Sequence, residues 1–141
     1  MLSPFEVRPL SPRPKVLLVE DDTAVRRSLL LVLQARGFDV KAYADPVSLL
    51  REGATKGAAC LIADYLLQRN CDGLDLLGTL RKNRWAGPAI LITAHSSAAL
   101  SEKAFQCGFA AVLAKPFRER ELAETVIRLI GRGQVRSPSL R

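Results

Sequence analysis

The segment Ala59-Cys-Leu-Ile-Ala63 carries five apolar residues in a row and then stops at a single carboxylate, Asp64. A run this short, with no polar alternation, reads as a β-strand covered on both faces. Such strands build parallel sheets with helices on each side, which removes most other architectures. The charge on the last residue falls at the carboxyl edge of the sheet, where open α/β sheets bind their ligands. Val16-Leu-Leu-Val19 repeats the arrangement and runs into Glu20-Asp21-Asp22. Two strands that deliver acids to one edge seed a site for a hard cation and a phosphate.

The remaining sequence fits that plan. Lys15–Val19 is the first expected strand, and Asp22 caps a helix to about Arg36 with Val25, Leu29, Val32 and Leu33 on one face. Gly37 stops it, and Phe38–Tyr43 is a second strand. Asp45-Pro46 gives an N-cap followed by Pro at the first helical position, opening a short helix that Gly53 and Gly57 end. The Asp64 strand follows, then a loop, and a helix starting at Asp72 or Gly73 with Leu74, Leu76, Leu77 and Leu80. Trp85-Ala-Gly-Pro88 is a break before a fourth strand, Ala89–Ile92, which ends in Thr93. Ser97 caps a helix to Cys107, and Phe109–Ala114 is a fifth strand ending in Lys115-Pro116. A last helix runs from Glu119 to about Ile130, with Gly131 after it. Five strands alternating with five helices over short loops predict an α/β fold, a doubly wound parallel sheet with helices on both faces.

At 141 residues the chain makes one domain with a real core. Residues 1–14, with four prolines, read as a flexible leader; 15–131 form the folded domain; 132–141 read as a basic flexible tail. The net charge of +7 raises the question of a nucleic-acid partner. Its placement argues otherwise, because residues 1–15 contribute +2 and residues 131–141 contribute +3. Binding of DNA through this chain alone is therefore not expected. Cys60, Cys71 and Cys107 show no metal-ligand spacing, and an odd count fits a reducing cytoplasm. No apolar run approaches membrane-spanning length, so no membrane partner is expected.

Four strand ends converge on one edge: Glu20 and Asp21, Asp64, Thr93, and Lys115. Two or three carboxylates plus water suit octahedral Mg²⁺. A hydroxyl and an ammonium facing the metal complete a cradle for phosphoryl oxygens. A carboxylate can itself be the nucleophile, forming an acyl phosphate. Each residue alone has an ordinary explanation as a cap, a turn or a solvated side chain; their shared edge and order do not.

The motifs Val19-Glu-Asp-Asp22, Ile62-Ala-Asp64, Asp72-Gly73, Ile92-Thr-Ala94 and Lys115-Pro-Phe117 resemble those of the receiver domain of two-component response regulators, from about Lys15 to Ile130. The resemblance implies a flavodoxin-like (βα)5 fold with strand order 2-1-3-4-5. It implies that Asp64 accepts a phosphoryl group from the phosphohistidine of a sensor histidine kinase or histidine phosphotransfer protein. Asp21, Asp64 and the backbone carbonyl of Leu66 would bind Mg²⁺, with Glu20 acting largely through water. Lys115 would pair with the acceptor and then with the phosphoryl group, Thr93 would swing toward a phosphoryl oxygen, and the Lys115–Pro116 bond would be cis. Arg26 and Arg27 on the first helix would face the kinase. Output would pass through the fourth helix, fifth strand and last helix to a protein partner, with homodimer formation on phosphorylation left open. The domain would be no enzyme beyond phosphorylating and dephosphorylating itself.

Glu20 stands where the family often has Asp and is expected still to serve, and further positions carry expectations. The loop Leu66-Leu-Gln-Arg-Asn-Cys71 has Gln68 in place of the usual Pro and is one residue longer. Val112 stands where receivers commonly carry Tyr or Phe, so Thr93 movement is expected to be reported differently or weakly. Leu66 is apolar beside the acceptor and cannot orient an attacking water, which predicts slow self-dephosphorylation; His95 nearby is expected to modulate access. The alternatives weighed are a receiver cut from a larger DNA-binding regulator or hybrid kinase, and a Mg²⁺-dependent aspartyl-phosphate phosphohydrolase.

Overall fold

The computed structural model describes residues 13–67 and 71–135. The elements are β1 (Lys15–Val19), α1 (Thr23–Ala35), β2 (Asp39–Tyr43), α2 (Pro46–Glu52), β3 (Ala58–Asp64), α3 (Gly73–Lys82), β4 (Ala89–Thr93), α4 (Ala98–Gln106), β5 (Ala111–Ala114) and α5 (Glu119–Val135). All strand pairs are parallel, in the order β2-β1-β3-β4-β5. This is the expected flavodoxin-like sheet. Most of the expected leader (1–12), Gln68 with its two following neighbours, and the end of the expected tail (136–141) lie outside the described residues.

Alternation along the strands divides the core in two. Leu17, Val19, Leu61, Ala63 and Leu91 face one side, where Leu49 of α2, Leu74, Leu76, Leu77 and Leu80 of α3, and Ala104 of α4 cover them. Val16, Leu18, Cys60, Ile62, Ile90 and Ile92 face the other, under Leu29 and Leu33 of α1 and Leu122, Ala123, Val126 and Ile130 of α5. The central strands are apolar without a break because both of their faces are buried.

Local chemistry sets the helix starts. The side chains of Asp22, Asp45, Asp72 and Ser97 each accept the backbone N–H three residues on. Asp72 also forms a reciprocal capping box with Asp75. Gly37, Gly53 and Gly108 follow their helices with positive φ, as a left-handed stop requires.

Three expected boundaries move. Phe38 is not in β2, because its N–H is bonded to the carbonyl of Leu33 at the end of α1. Phe109 is not in β5, because its N–H closes α4 on the carbonyl of Ala104. The last helix does not stop near Ile130 but runs on to Val135. Gly131 lacks the positive φ of the terminating glycines, and nothing crowds it, so it stays helical at the modest cost of a glycine in a helix.

Candidate functional site

β1 and β3 are neighbours in the sheet, and Val19 pairs with Ala63, so their acidic ends emerge side by side. Carboxylate oxygens of Glu20, Asp21 and Asp64 lie within 4.8 Å of one another. Lys115, just beyond β5, reaches into the same corner, with Nζ 2.9 Å from Glu20 Oε1 and 2.9 Å from Asp64 Oδ2. The Lys115–Pro116 bond is cis. Asp64 is only 6% exposed and Glu20 is fully buried, whereas Asp21 faces solvent. The cluster is thus closed on the protein side and open on one side to solvent.

Glu20 is tied at every polar group. Its N–H donates to the Tyr43 carbonyl at 3.0 Å, and its carbonyl accepts from Arg26 Nη1 at 2.8 Å. Lys115 donates to Oε1, and the Asp22 N–H donates to Oε2 at 3.1 Å. Burial pushes its carboxyl up to about 7, aided by the nearby Asp64 charge and opposed by Lys115 and the Asp22 amide. Burial alone would lower Lys115, but its hydrogen bonds to Glu20 and Asp64 and their charges outweigh this and raise it. The ammonium therefore stays charged between the two carboxyl groups.

Thr93 is fully buried at the end of β4, where its Oγ1 accepts the His95 N–H at 2.9 Å. The Lys115 N–H donates to the Thr93 carbonyl at 2.7 Å, so the hydroxyl and the ammonium leave adjacent strands at one level. Leu66, two residues past Asp64, is 51% exposed, and His95 is also exposed. Val112 is half-buried and packs against the core beneath α4. The donor set, three carboxylates and no nitrogen or sulfur, fits a hard dication such as Mg²⁺ and does not fit a soft metal. The Cys60 thiol, buried in β3, is pushed up to about 12 by desolvation and is inert.

Two residues matter more to this corner than their sequence positions suggested. Arg26 donates from its side chain to the backbone carbonyls of the acidic turn, a contact the sequence reading did not include. The available signal was helical phase, since Arg26 shares a stripe with the buried Leu29 and Leu33. Gly73 lies against the end of β3: its N–H donates to Tyr65 O at 2.8 Å, and a Cβ there would lie 2.6 Å from the Asp64 carbonyl oxygen. Only the tertiary approach of α3 makes that glycine necessary. Beside Lys115, α1 and the loop before α5 enclose an apolar groove of about 540 Å³ lined by Ala24, Val25, Ala94, Pro116 and Phe117. Ser28 and Glu119 hydrogen-bond across it.

Residues 16–127 match the family described as the response regulator receiver domain. The chain belongs to this family. Receiver domains are signalling phosphoacceptors of two-component systems, and Mg²⁺ binding at an acidic pocket is general among them. This receiver is 31% identical over 126 residues to nodulation protein W of Bradyrhizobium diazoefficiens, covering 89% of this chain and 55% of that protein. It is 29% identical over 117 residues to the transcriptional regulatory protein FixJ of Azorhizobium caulinodans, covering 83% of this chain and 55% of that one. The chain therefore spans about half the length of the curated relatives it matches. Among solved structures, the receiver domain of Francisella response regulator 1452 superposes with a TM-score of 0.79 at 27% identity, covering 86% of this chain and 99% of that one. A CheY-like receiver domain protein of Methanospirillum hungatei gives 0.80 at 24% identity, covering 89% and 99%, and shares the fold. Among the described residues, no helix is long and apolar enough to cross a membrane.

Proposed function

We propose that this receiver takes a phosphoryl group from the phosphohistidine of a sensor histidine kinase or histidine phosphotransfer protein onto Asp64. The observation that carries the reading is the double hydrogen bond of Lys115 to Glu20 and Asp64, beside the open carboxylate of Asp21. A carboxylate oxygen of Asp64 attacks phosphorus, the P–N bond breaks, and the departing imidazole takes up a proton. The Lys115 ammonium, already on the acceptor, follows the charge onto a phosphoryl oxygen. Thr93 Oγ1 accepts from the His95 amide, which leaves its own proton to donate to a second phosphoryl oxygen. Asp21, Asp64 and the Leu66 carbonyl would hold Mg²⁺ directly, and Glu20, with both oxygens engaged, through water. The ion, when bound, offsets repulsion between the incoming phosphoryl group and the resident carboxylates.

The groove between α1 and Phe117 suits the apolar side of a kinase helix that presents its histidine to Asp64. Output passes from the domain (15–131) to a protein partner, with Val112, in place of the usual aromatic, altering or weakening the usual route through the fifth strand. Longer relatives that are transcriptional regulatory proteins, about half of whose length the match covers, favour a second reading, in which the domain works as the receiver of a longer DNA-binding regulator. A phosphohydrolase role is disfavoured by Leu66, which offers no group to activate water. The free cysteines suit the cytoplasm.

Intact-mass spectrometry after incubation with Mg²⁺ and acetyl phosphate tests the reading. Wild type gains a single labile phosphate that Asp64→Asn lacks. No adduct on the wild type, with Mg²⁺ in excess and a panel of histidine kinases supplied, would leave the fold as a binding scaffold.

A further inference from the structure

Asp21 is the weak member of the acid cluster. Glu20 is fixed at all of its polar groups and Asp64 is buried with Lys115 on its carboxylate. The Asp21 carboxylate is exposed and, among the described residues, makes no hydrogen bond or ion pair. It lies with two other carboxylates around one ammonium, so electrostatics alone would turn it out toward water. What holds the turn is its backbone. Arg26 Nη1 sits 2.8 Å from the Glu20 carbonyl and 3.4 Å from that of Asp21, the shorter a firm hydrogen bond and the longer a grazing one. Asp22 completes the turn by accepting the Val25 N–H at 3.0 Å and passing its carbonyl to the Arg26 N–H at 2.9 Å.

The position of this arginine calls for a cause. Arg26 lies near the start of α1, where the helix dipole disfavours a cation, and on the stripe that buries Leu29 and Leu33. Its neighbour Arg27 is exposed and, among the described residues, carries no side-chain hydrogen bond or ion pair. Two carbonyls at the acidic turn are what an inward guanidinium gains.

We propose that Arg26 is a positioning residue for the cation site: its guanidinium clamps the Glu20 and Asp21 carbonyls and so keeps the Asp21 carboxylate in the cluster before a dication arrives. The inference rests on the reading of Glu20, Asp21 and Asp64 as a Mg²⁺ site. It differs in sign from a plain charge effect. A guanidinium near a dication repels it, so charge alone makes Arg26→Met bind the ion more tightly. Loss of a clamp makes it bind more weakly, by about tenfold, at the low end of what removing groups that orient metal ligands costs.

Mn²⁺ serves as the probe, with the free ion counted by electron paramagnetic resonance, alongside amide hydrogen exchange of the metal-free protein. Arg26→Met weakens Mn²⁺ uptake and speeds exchange at Glu20 and Asp22, whose amides are bonded to the Tyr43 carbonyl and to Glu20 Oε2, while the amides of β3 keep their protection. Arg26→Lys, which keeps the charge and one donor, recovers part of the affinity. Equal or tighter Mn²⁺ binding by Arg26→Met overturns the assignment, as does exchange that accelerates at every amide, which would make Arg26 a general stabiliser only. Should wild type take up no more Mn²⁺ than the Asp21→Asn/Asp64→Asn double variant, the metal reading falls and takes this inference with it.

Discussion

Gly73→Ala perturbs Asp64, the proposed acceptor, through its backbone and without altering a charged group. Gly73 opens α3 directly after the Asp72 cap, and its N–H is bonded to the Tyr65 carbonyl, which draws the helix start under the end of β3. A Cβ there would stand 2.6 Å from the Asp64 carbonyl oxygen, 3.3 Å from its carbonyl carbon and 2.8 Å from Leu91 Cδ1. None of these can yield freely: Asp64 ends a central strand and Leu91 is fully buried. Overpacking of this kind costs about 1–3 kcal/mol. Alanine recovers up to about 1 kcal/mol over glycine in a helix, and less in the first turn. The net result is a loss of about 1–2 kcal/mol. Gly78, in the same helix, is exposed, and a methyl group added there would meet nothing within 4 Å, so Gly78→Ala gains about 0.5–1 kcal/mol. Urea unfolding followed by fluorescence of Trp85, the single tryptophan and a buried one, reads both changes. Because the clash falls on the acceptor's own backbone, Gly73→Ala also slows phosphorylation by acetyl phosphate, and Gly78→Ala does not. A Gly73→Ala domain as stable as wild type, or stabilised like Gly78→Ala, would mean that α3 does not press on the Asp64 backbone.

Two further outcomes follow from the same corner. Glu20, raised from 4.5 to about 7 chiefly by burial, binds its proton more tightly folded than unfolded. Its contribution to stability is therefore full below about pH 4.5 and lost as pH rises through about 7; at about 1.4 kcal/mol per pH unit this amounts to about 3 kcal/mol, and Glu20→Gln removes that slope in metal-free urea titrations between these pH values. An equal slope in both proteins would contradict the assignment. Leu66→Asn places a polar group beside the acceptor and shortens the lifetime of the phosphoryl group at least several-fold; a lifetime on the wild type of only seconds, or one unchanged by the substitution, would contradict the role given to Leu66.

Much of this architecture is written locally. The unbroken apolar runs of β3 and β4 identify central strands because both faces are buried, and the caps at Asp22, Asp45, Asp72 and Ser97 need only a side chain three residues from an amide. The convergence of Glu20, Asp21, Asp64, Thr93 and Lys115 follows once the strands are parallel, since every carboxyl end lies on one edge. What stayed hidden depends on partners far away in the chain. The fourfold restraint of Glu20 needs the Tyr43 carbonyl and Lys115, 95 residues on. The need for Gly73 exists only because α3 meets the Asp64 carbonyl. Gly131 was misleading for the opposite reason: a glycine ends a helix only where the chain must turn, and here α5 has room to continue.

Borohydride trapping tests at the atom concerned whether Asp64 becomes an acyl phosphate. Borohydride reduces an acyl phosphate to the alcohol, so the protein is incubated with Mg²⁺ and a phosphorylated histidine phosphotransfer protein, reduced, digested and sequenced by mass spectrometry. Homoserine is expected at position 64 and at no other acid, and none when Mg²⁺ is withheld. Homoserine at Asp21 or Glu20, or an unmodified Asp64 after the donor has lost its phosphate to this protein, would contradict it.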